Sequence, residues 1–148
     1  MATSHLANNM RATSEAFLQA WDTWEVESIM AIRAPECTHS MLPVNVGFDA
    51  RTNAEFGAYL KTVGGFFTKS KMTMNDYVAV PAERRAVVRS TMLADAPWGE
   101  FRNEYVWFLR FTEDGLLVTE IIEFIDSLTT RDVKAKIIEH VEGEKSTN

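Results

Sequence analysis

Hydrophobic and polar positions alternate most regularly between Gly99 and Ser127, where two β-rich runs flank the turn signal EDG at residues 113–115. Such runs are predicted to pair antiparallel as a hairpin, the longest continuous part of the sheet. In the first run, alternate side chains form a mostly aromatic face with one amide and one phenol. This face comprises Phe101, Asn103, Tyr105, Trp107, Leu109 and Phe111. It is typical of the wall of an apolar ligand pocket with a few polar groups.

The register of this hairpin decides which acidic residue joins the aromatic face. If the loop has two residues, Tyr105 lies opposite Phe124, and Glu123 points outward. If the loop has three residues, with Gly115 in the left-handed conformation, Tyr105 lies opposite Glu123, which then points inward. A slip of one residue exchanges the candidate acid, and the pattern alone leaves both registers open.

Helical spacing of apolar residues predicts two helices over residues 6–24 and 26–33. They are separated by a bend at Asp22, which can form a capping box with Glu25, and Pro35 ends the second helix. A strand is predicted over Cys37–Leu42, followed by a loop over Pro43–Arg51 and by a helix that begins with a capping box at Thr52 and Glu55 and ends at Gly64-Gly65.

The second half of the chain is predicted to contain strands over Met72–Val80 and Arg85–Ala94 before the hairpin. A final helix is capped within Ser127–Thr130 and carries Val133, Ile137 and Val141 along one stripe, and residues 143–148 are predicted to form a frayed tail.

Helices that precede a meandering antiparallel sheet indicate an α+β domain in which the helices cover one curved face of the sheet. No linker or repeat divides the 148 residues, so we expect residues 1–148 to form a single domain. The outer face of the hairpin places Val106, Phe108 and either Ile121 or Ile122 among charged residues. Because that face is too apolar to be comfortably solvated, we expect a homodimer.

Composition narrows the possible partners and the compartment. The net charge of −6 and the pI of about 5.1 argue against nucleic acid or an anionic membrane as the main partner, because both need a positive face. Cys37 is the only cysteine, so no internal disulfide forms. The N-terminus lacks a signal-peptide pattern, and no stretch approaches the roughly 20 apolar residues of a membrane span. These features predict a cytoplasmic protein.

The order of elements and several local strings resemble the nuclear transport factor 2-like superfamily and, within it, the SnoaL-like branch. The strings are AIRAPECTHSMLP, RTNAEFGAYL, NEYVWFLRF with its EDG turn, and EFIDS. They are most similar to small isomerases and cyclases of fungal meroterpenoid and polyketide pathways, and the resemblance extends from Phe17 to Ile138. It implies a cone-shaped α+β barrel with a deep apolar pocket. Shared architecture does not transfer chemistry, so the site must be argued from its residues.

The resemblance also implies which side chains enter the cone. Alternate residues of the strand after the second helix point inward, and here these are Cys37, His39 and Met41. Met41 stands where ketosteroid isomerases use an aspartate, and Phe17 stands where they use a tyrosine, which argues against steroid-isomerase chemistry.

Limonene-epoxide hydrolases offer a second resemblance. The string from Glu123 to Asp126 is similar to one in those enzymes whose first acid faces the pocket, which favours Glu123 as the inward acid. The spacing of Arg102 and Glu104 is also similar to that of a hydrolase pair, but both residues fall on the outer face of the hairpin.

An inward Glu123 walled by Trp107, Tyr105, Phe101 and Met41 would have a pKa raised by desolvation, which suits a general acid or base. We expect His39 to exchange protons with the same substrate, and Tyr105 and Asn103 to hold a carbonyl or enolate oxygen. Further candidate substrate contacts are Phe17, Trp21, Tyr59, Arg33 and Asp126.

Several of these candidates also have simpler structural readings. Phe17 and Trp21 also fit the core, and Asp126 also fits a helix cap. Arg33 either pairs with an acid at the pocket mouth or is solvated.

The sequence predicts no metal site and no cofactor, because the three histidines lack ligand spacing and no glycine-rich loop follows a strand. We therefore expect a cofactor-independent isomerase or cyclase that acts on a small hydrophobic polycyclic substrate. The alternatives are a dehydratase or epoxide hydrolase on a similar substrate, or a non-catalytic binding scaffold.

Overall fold

The computed structural model describes residues 2–147, and its helices and strands follow the predicted order apart from one additional short strand. The α-helices are α1 (Ala2–Gln19), α2 (Val26–Met30), α3 (Asn53–Val63) and α4 (Ser127–Ser146). The strands are β1 (Arg33–Leu42), β2 (Phe48–Arg51), β3 (Thr68–Val80), β4 (Arg85–Ala96), β5 (Gly99–Phe111) and β6 (Val118–Ile125).

The six strands form one curved, unclosed sheet in the order β2-β1-β6-β5-β4-β3. Strand β1 runs parallel to β6, while the other neighbouring strands pair antiparallel. The alternation predicted for β5 is confirmed, because all six residues of its aromatic face are buried. Helix α3 packs against β1 and β2, and α1 packs against β3, so helices cover the inner side of the sheet. The α+β class is therefore confirmed.

The hairpin of β5 and β6 differs from both predicted registers. Trp107 lies opposite Glu123, and Tyr105 lies opposite Ile125, because the connection over residues 112–117 is longer than either loop that we considered. Compared with the register of the three-residue loop, the partner of Tyr105 shifts by two positions, from Glu123 to Ile125. Because this is an even number, Glu123 still points inward. Gly115 has the left-handed conformation, with φ of 74°, and a Cβ there would lie 3.0 Å from Leu6 on α1.

Three local predictions in the first half of the chain are wrong. Asp22 does not cap α2; its carboxylate accepts hydrogen bonds from the backbone N–H of Met72 and from Lys71. Pro35 lies inside β1, where the pairing with β6 is irregular and its missing N–H is tolerated. The predicted loop over Pro43–Arg51 contains β2, which pairs with β1.

Helix α4 is the last correction. It continues through residues 143–146, which we predicted to be frayed, whereas Asn148 lies outside the described residues. No residue of α4 is buried, but Val133, Ile137 and Val141 form the predicted stripe and are half-buried.

The capping box of α3 is confirmed, and its loss should be measurable. The Thr52 hydroxyl accepts from the backbone N–H of Glu55, and the Glu55 carboxylate accepts from the N–H of Thr52. We expect Thr52→Ala to lower the free energy of unfolding by about 1 kcal/mol, measured by urea denaturation. Thr62→Ala is the matched control, because that hydroxyl bonds only the carbonyl of Tyr59 one turn back. Equal stability of the two variants would contradict the role of the cap.

Candidate active site

Three buried polar side chains contact one another in a row on the inner side of the sheet, and we call them the buried polar chain. Nη2 of Arg33 lies 3.0 Å from Nδ1 of His39, and Nε2 of His39 lies 2.7 Å from Oε2 of Glu123. Arg33 is 5% exposed, His39 0% and Glu123 4%. The parallel pairing of β1 with β6 brings them together, because it sets Met41 beside Glu123 and His39 beside Ile121.

Aromatic and backbone contacts fix the positions of Arg33 and His39. The His39 ring stacks on Phe56 with centroids 3.9 Å apart, and the Arg33 guanidinium lies 4.5 Å from the centre of the same ring. Nε of Arg33 donates to the carbonyl oxygen of Ile29, the residue before the end of α2. The capping box of α3 therefore matters to the site, since α3 supplies Phe56.

Burial sets the charges of this chain of groups. It raises the pKa of Glu123 to about 8, although the charges of Arg33 and Lys134 oppose the shift. Burial together with the charges of Arg33 and Arg51 holds the pKa of His39 well below its usual value. The pKa of Arg33 falls to about 10, again through burial, so the guanidinium stays charged at neutral pH. The contact between His39 and Glu123 is accordingly a hydrogen bond of a neutral imidazole rather than an ion pair.

Glu123 also lines a cavity of about 300 Å³, at the lower end of the range for small-molecule sites. The walls are largely aromatic and aliphatic, and the polar groups are few. The apolar lining includes Trp21, Trp24, Met41, Phe56, Leu60, Phe67, Phe101 and Ile125. The polar lining consists of Tyr59, Asn103, Tyr105, Glu123, Thr130 and Lys134. Among the lining residues, Glu123 is the sole carboxyl group.

Helix α4 roofs this cavity. Val133 and Ile137 face inward, and the exposed Ile138 lies at the mouth. Lys134 also lines the cavity, and its ammonium group donates to the carbonyl oxygen of Val46. Asp126, at the start of α4, accepts from the backbone N–H groups of residues 128 and 129. Lys134 thus joins α4 to the connection between β1 and β2, while Asp126 caps the helix itself.

The two predicted oxygen-binding groups differ in their freedom to meet a ligand. The Asn103 amide donates to Thr130 and accepts from the N–H of Glu104, so it ties α4 to β5. Tyr105 stacks on Trp107, and burial together with the nearby Glu123 raises its pKa well above the usual value. The pKa of Tyr59 rises to about 12, mainly through burial. Both phenols therefore remain hydroxyl groups that can donate at neutral pH.

Seven of the twelve predicted site residues line the cavity: Glu123, Tyr105, Asn103, Phe101, Met41, Trp21 and Tyr59. The other five do not, and two of these lie in the core. Phe17 packs edge-on against Trp107 at 5.0 Å. Trp107 is fully buried, and its indole N–H donates to Ser90. Both residues support the wall from behind.

The remaining three corrections concern polar groups. His39 does not reach the cavity, because Glu123 and Phe56 lie in front of it, so the expected direct exchange of protons with a substrate is wrong. Arg33 is neither at the pocket mouth nor solvated, since it is buried against His39. Asp126 is an exposed helix cap.

Sequence reasoning missed Lys134, Thr130 and Phe56 as parts of the site. The spacing of apolar residues placed Phe56 on a helix, but nothing in the sequence indicates that its ring packs against Arg33 and His39. Lys134 and Thr130 lie on a helix whose distance from the pocket depends on the tertiary structure. Among residues 2–147, no group of three or more histidine, cysteine or acidic side chains is placed to hold a metal ion. No helix in that range is long and apolar enough to cross a membrane.

Solved structures share this fold over nearly the whole chain. PrhC from Penicillium brasilianum matches with a TM-score of 0.83 and 21% identity, covering 95% of this chain and 92% of PrhC. BvnE pinacolase from Penicillium brevicompactum matches with a TM-score of 0.84 and 22% identity, covering 91% of this chain and 94% of BvnE.

Sequence relatives include proteins of fungal biosynthetic clusters. Austinoid biosynthesis cluster protein F of Aspergillus calidoustus is 31% identical over 92% of this chain and 79% of that protein. Monooxygenase AacuP of Aspergillus aculeatus is 27% identical over 94% of this chain and 96% of that protein. The profile of the SnoaL-like domain matches residues 14–120, which include β1, α3 and β5. By this match and by its fold, the chain belongs to the SnoaL-like domain family.

Proposed function

We propose that the protein is a cofactor-independent isomerase or cyclase that moves a proton on a hydrophobic polycyclic metabolite, with Glu123 as the group that transfers it. The observation that carries this proposal is one buried carboxyl group, with a pKa of about 8, on the wall of an otherwise apolar cavity. A pKa close to the working pH lets one group give and take a proton. The cavity agrees with the deep apolar pocket that the resemblance implies, and side chains do not fill it.

In the proposed reaction, protonated Glu123 gives its proton to one atom of the substrate and then, as the carboxylate, removes a proton from another atom. The two transfers return the enzyme to its starting state and leave the composition of the substrate unchanged. Tyr59 and Tyr105 line the same cavity, and their hydroxyl groups can donate to a carbonyl or enolate oxygen. Their raised pKa values keep these donors neutral throughout the reaction.

The type of substrate follows from the lining and from the relatives. An aromatic and aliphatic wall binds a rigid hydrophobic body, and the few polar groups orient it. Relatives are named after austinoid biosynthesis, and a structural neighbour is a pinacolase. Both support a role in fungal secondary metabolism. An epoxide hydrolase is less well supported, because Arg102 and Glu104 are exposed on the outer face, away from the cavity.

Substitution of the proposed acid is the direct test. We expect Glu123→Gln to lower turnover by about 100-fold or more, the scale of general acid–base catalysis, because the amide cannot transfer a proton. Binding should persist, since the shape of the wall is retained, and quenching of Trp21 and Trp24 by polycyclic ketones would report it. Turnover is measured by expressing the chain with the enzymes of its biosynthetic neighbourhood and following the product by mass.

The matched control is Glu120→Gln, which removes a carboxylate that pairs with Arg110 on the outer side of β6 and β5. Full activity of Glu123→Gln would contradict the proposed role. A product of unchanged mass supports an isomerase or cyclase. Loss of water indicates a dehydratase, gain of water a hydrolase, and gain of an oxygen atom an oxygenase. Ligand binding without any product would leave the scaffold alternative.

Burial of Glu123 also predicts a pH dependence of stability. The pKa rises from 4.5 to about 8 on folding, so the folded chain binds more protons than the unfolded chain between these values. Glu123 therefore makes the free energy of unfolding fall as the pH rises from about 4.5 to about 8. Glu123→Gln removes this pH-dependent contribution to the free energy of unfolding. We therefore expect the melting temperature of the variant to rise relative to that of the parent chain as the pH increases from 4.5 to about 8. A difference in melting temperature between the two proteins that stays constant with pH, measured by thermal denaturation, would contradict the raised pKa of Glu123.

We also propose a homodimer formed by the outer face of the sheet. On this face Phe108 lies opposite Val87 on one side and Ile122 on the other, and Val106 lies opposite Phe124. Phe108 is 42% exposed and Phe124 is 45% exposed, so the strands present a continuous apolar patch. Ile121 is fully buried on the inner side, which resolves the alternative left open by the sequence.

Analytical ultracentrifugation at micromolar concentration tests the dimer. We expect the parent chain to sediment as a dimer and Phe108→Glu to sediment as a monomer, because the substitution places charges at the centre of the patch. Circular dichroism of the variant should be unchanged, since Phe108 is outside the core. A parent chain that sediments as a monomer would contradict this proposal.

A further inference from the structure

Arg33 is a buried cation to which the proposed reaction gives no role. Arg33 is 5% exposed as a whole residue, its guanidinium lies over the ring of Phe56, and it contacts His39 rather than a carboxylate. Burying a cation away from a carboxylate costs free energy, and the lowered pKa of Arg33 reflects that cost. A residue kept at such a cost one contact behind a cavity-lining carboxyl group calls for an explanation beyond packing.

The hydrogen-bonding capacity of arginine determines the tautomer of His39. A guanidinium group has only N–H donors, so the 3.0 Å contact from Nη2 requires Nδ1 of His39 to be the acceptor. A neutral imidazole with Nδ1 as its acceptor carries its hydrogen on Nε2. The 2.7 Å contact from Nε2 is therefore a donation to Oε2 of Glu123.

This direction of donation determines which oxygen of Glu123 can be protonated. Oε2 accepts from His39, so when the carboxyl group is protonated its hydrogen lies on Oε1. Among the described residues, Oε2 has a hydrogen-bond partner and Oε1 has none. Glu123 lines the cavity and His39 does not, so Oε1, the oxygen that does not accept from His39, is the one available to a ligand.

We propose that Arg33 is a positioning residue: by donating to Nδ1 of His39, it makes the imidazole donate from Nε2 to Oε2 of Glu123, which leaves Oε1 to carry and transfer the exchangeable proton. This inference rests on the proposed function of Glu123. In the opposite tautomer, Nε2 of His39 would accept the proton of Glu123. The proton would then lie between two buried groups instead of facing the substrate.

The first test needs no substrate. Long-range ¹H–¹⁵N correlation spectra distinguish the two neutral tautomers of histidine and the imidazolium form. The chain has three histidines, so a His39→Gln spectrum identifies the signals of His39. At neutral pH we expect the pure Nε2–H pattern in the parent chain. An Nδ1–H pattern or an imidazolium pattern would overturn the proposal, whatever the activity of the Glu123 variants.

Variants of Arg33 then test the cause of the tautomer. Arg33→Met keeps a long apolar side chain against Phe56 but removes the donor, so we expect His39 to lose the pure Nε2–H pattern. Arg33→Lys keeps a cationic donor and should retain much of that pattern. Arg51→Met is the matched control, because Arg51 is a cation close enough to affect His39 electrostatically, while no hydrogen bond joins it to that ring.

Kinetics supply the second readout. We expect Arg33→Met to lower kcat by about 100-fold with little change in KM, because the lost interaction directs a proton and does not touch the substrate. Arg33→Lys should recover part of kcat, and Arg51→Met should keep it. An unchanged tautomer in Arg33→Met, or equal effects of Arg33→Met and Arg51→Met, would overturn the proposal. If Arg33→Met fails to fold, the spectrum of the parent chain and of Arg33→Lys still decides it.

Discussion

The site depends on the parallel pairing of β1 with β6. That pairing joins strands that are distant in sequence and allows His39 to meet Glu123, which is 84 residues further along the chain. Parallel neighbours require a long crossover, and here the crossover contains α3 and the β3–β4–β5 meander. The same segments provide the roof support and the aromatic wall. The topology that forms the curved sheet beside the cavity therefore also assembles its polar groups.

The buried polar chain is compatible with an apolar interior because its contacts offset part of the free energy that burial of polar groups costs. Transfer of a carboxylate from water into a protein is expensive unless it is hydrogen-bonded or protonated, and Glu123 is both hydrogen-bonded and largely protonated at neutral pH. His39 stays neutral, so a single positive charge remains within the group, on Arg33. Phe56 offers that charge the face of its ring, which attracts cations. The balance leaves one carboxyl group that can hold or release a proton near neutral pH.

Sequence alone predicted the parts of the fold that depend on local periodicity. The inner face of β5 was assigned correctly because side-chain alternation is a local property of a strand, and the capping box of α3 lies within four consecutive residues. For Glu123 the pattern left both registers open, and the resemblance to a hydrolase string favoured the inward one. That placement agrees with the structure although the cross-strand partner was wrong, since faces depend only on the parity of the register. The predictions that failed concern how close a side chain lies to the cavity. Whether His39 or Trp107 touches the cavity or lies behind its wall depends on sheet curvature and on neighbouring rings, which no spacing rule encodes.

Helix α4 has a consequence for ligand entry. It contributes no fully buried residue, and its attachments include the bond from Asn103 to Thr130 and the bond from Lys134 to Val46. A segment with few buried apolar contacts opens at a small fraction of the free energy of global unfolding. Swinging such a segment outward would expose the interior without disturbing a strand. A hydrophobic ligand in the cavity would add apolar contacts to Val133 and Ile137, so its binding would slow amide exchange along this helix.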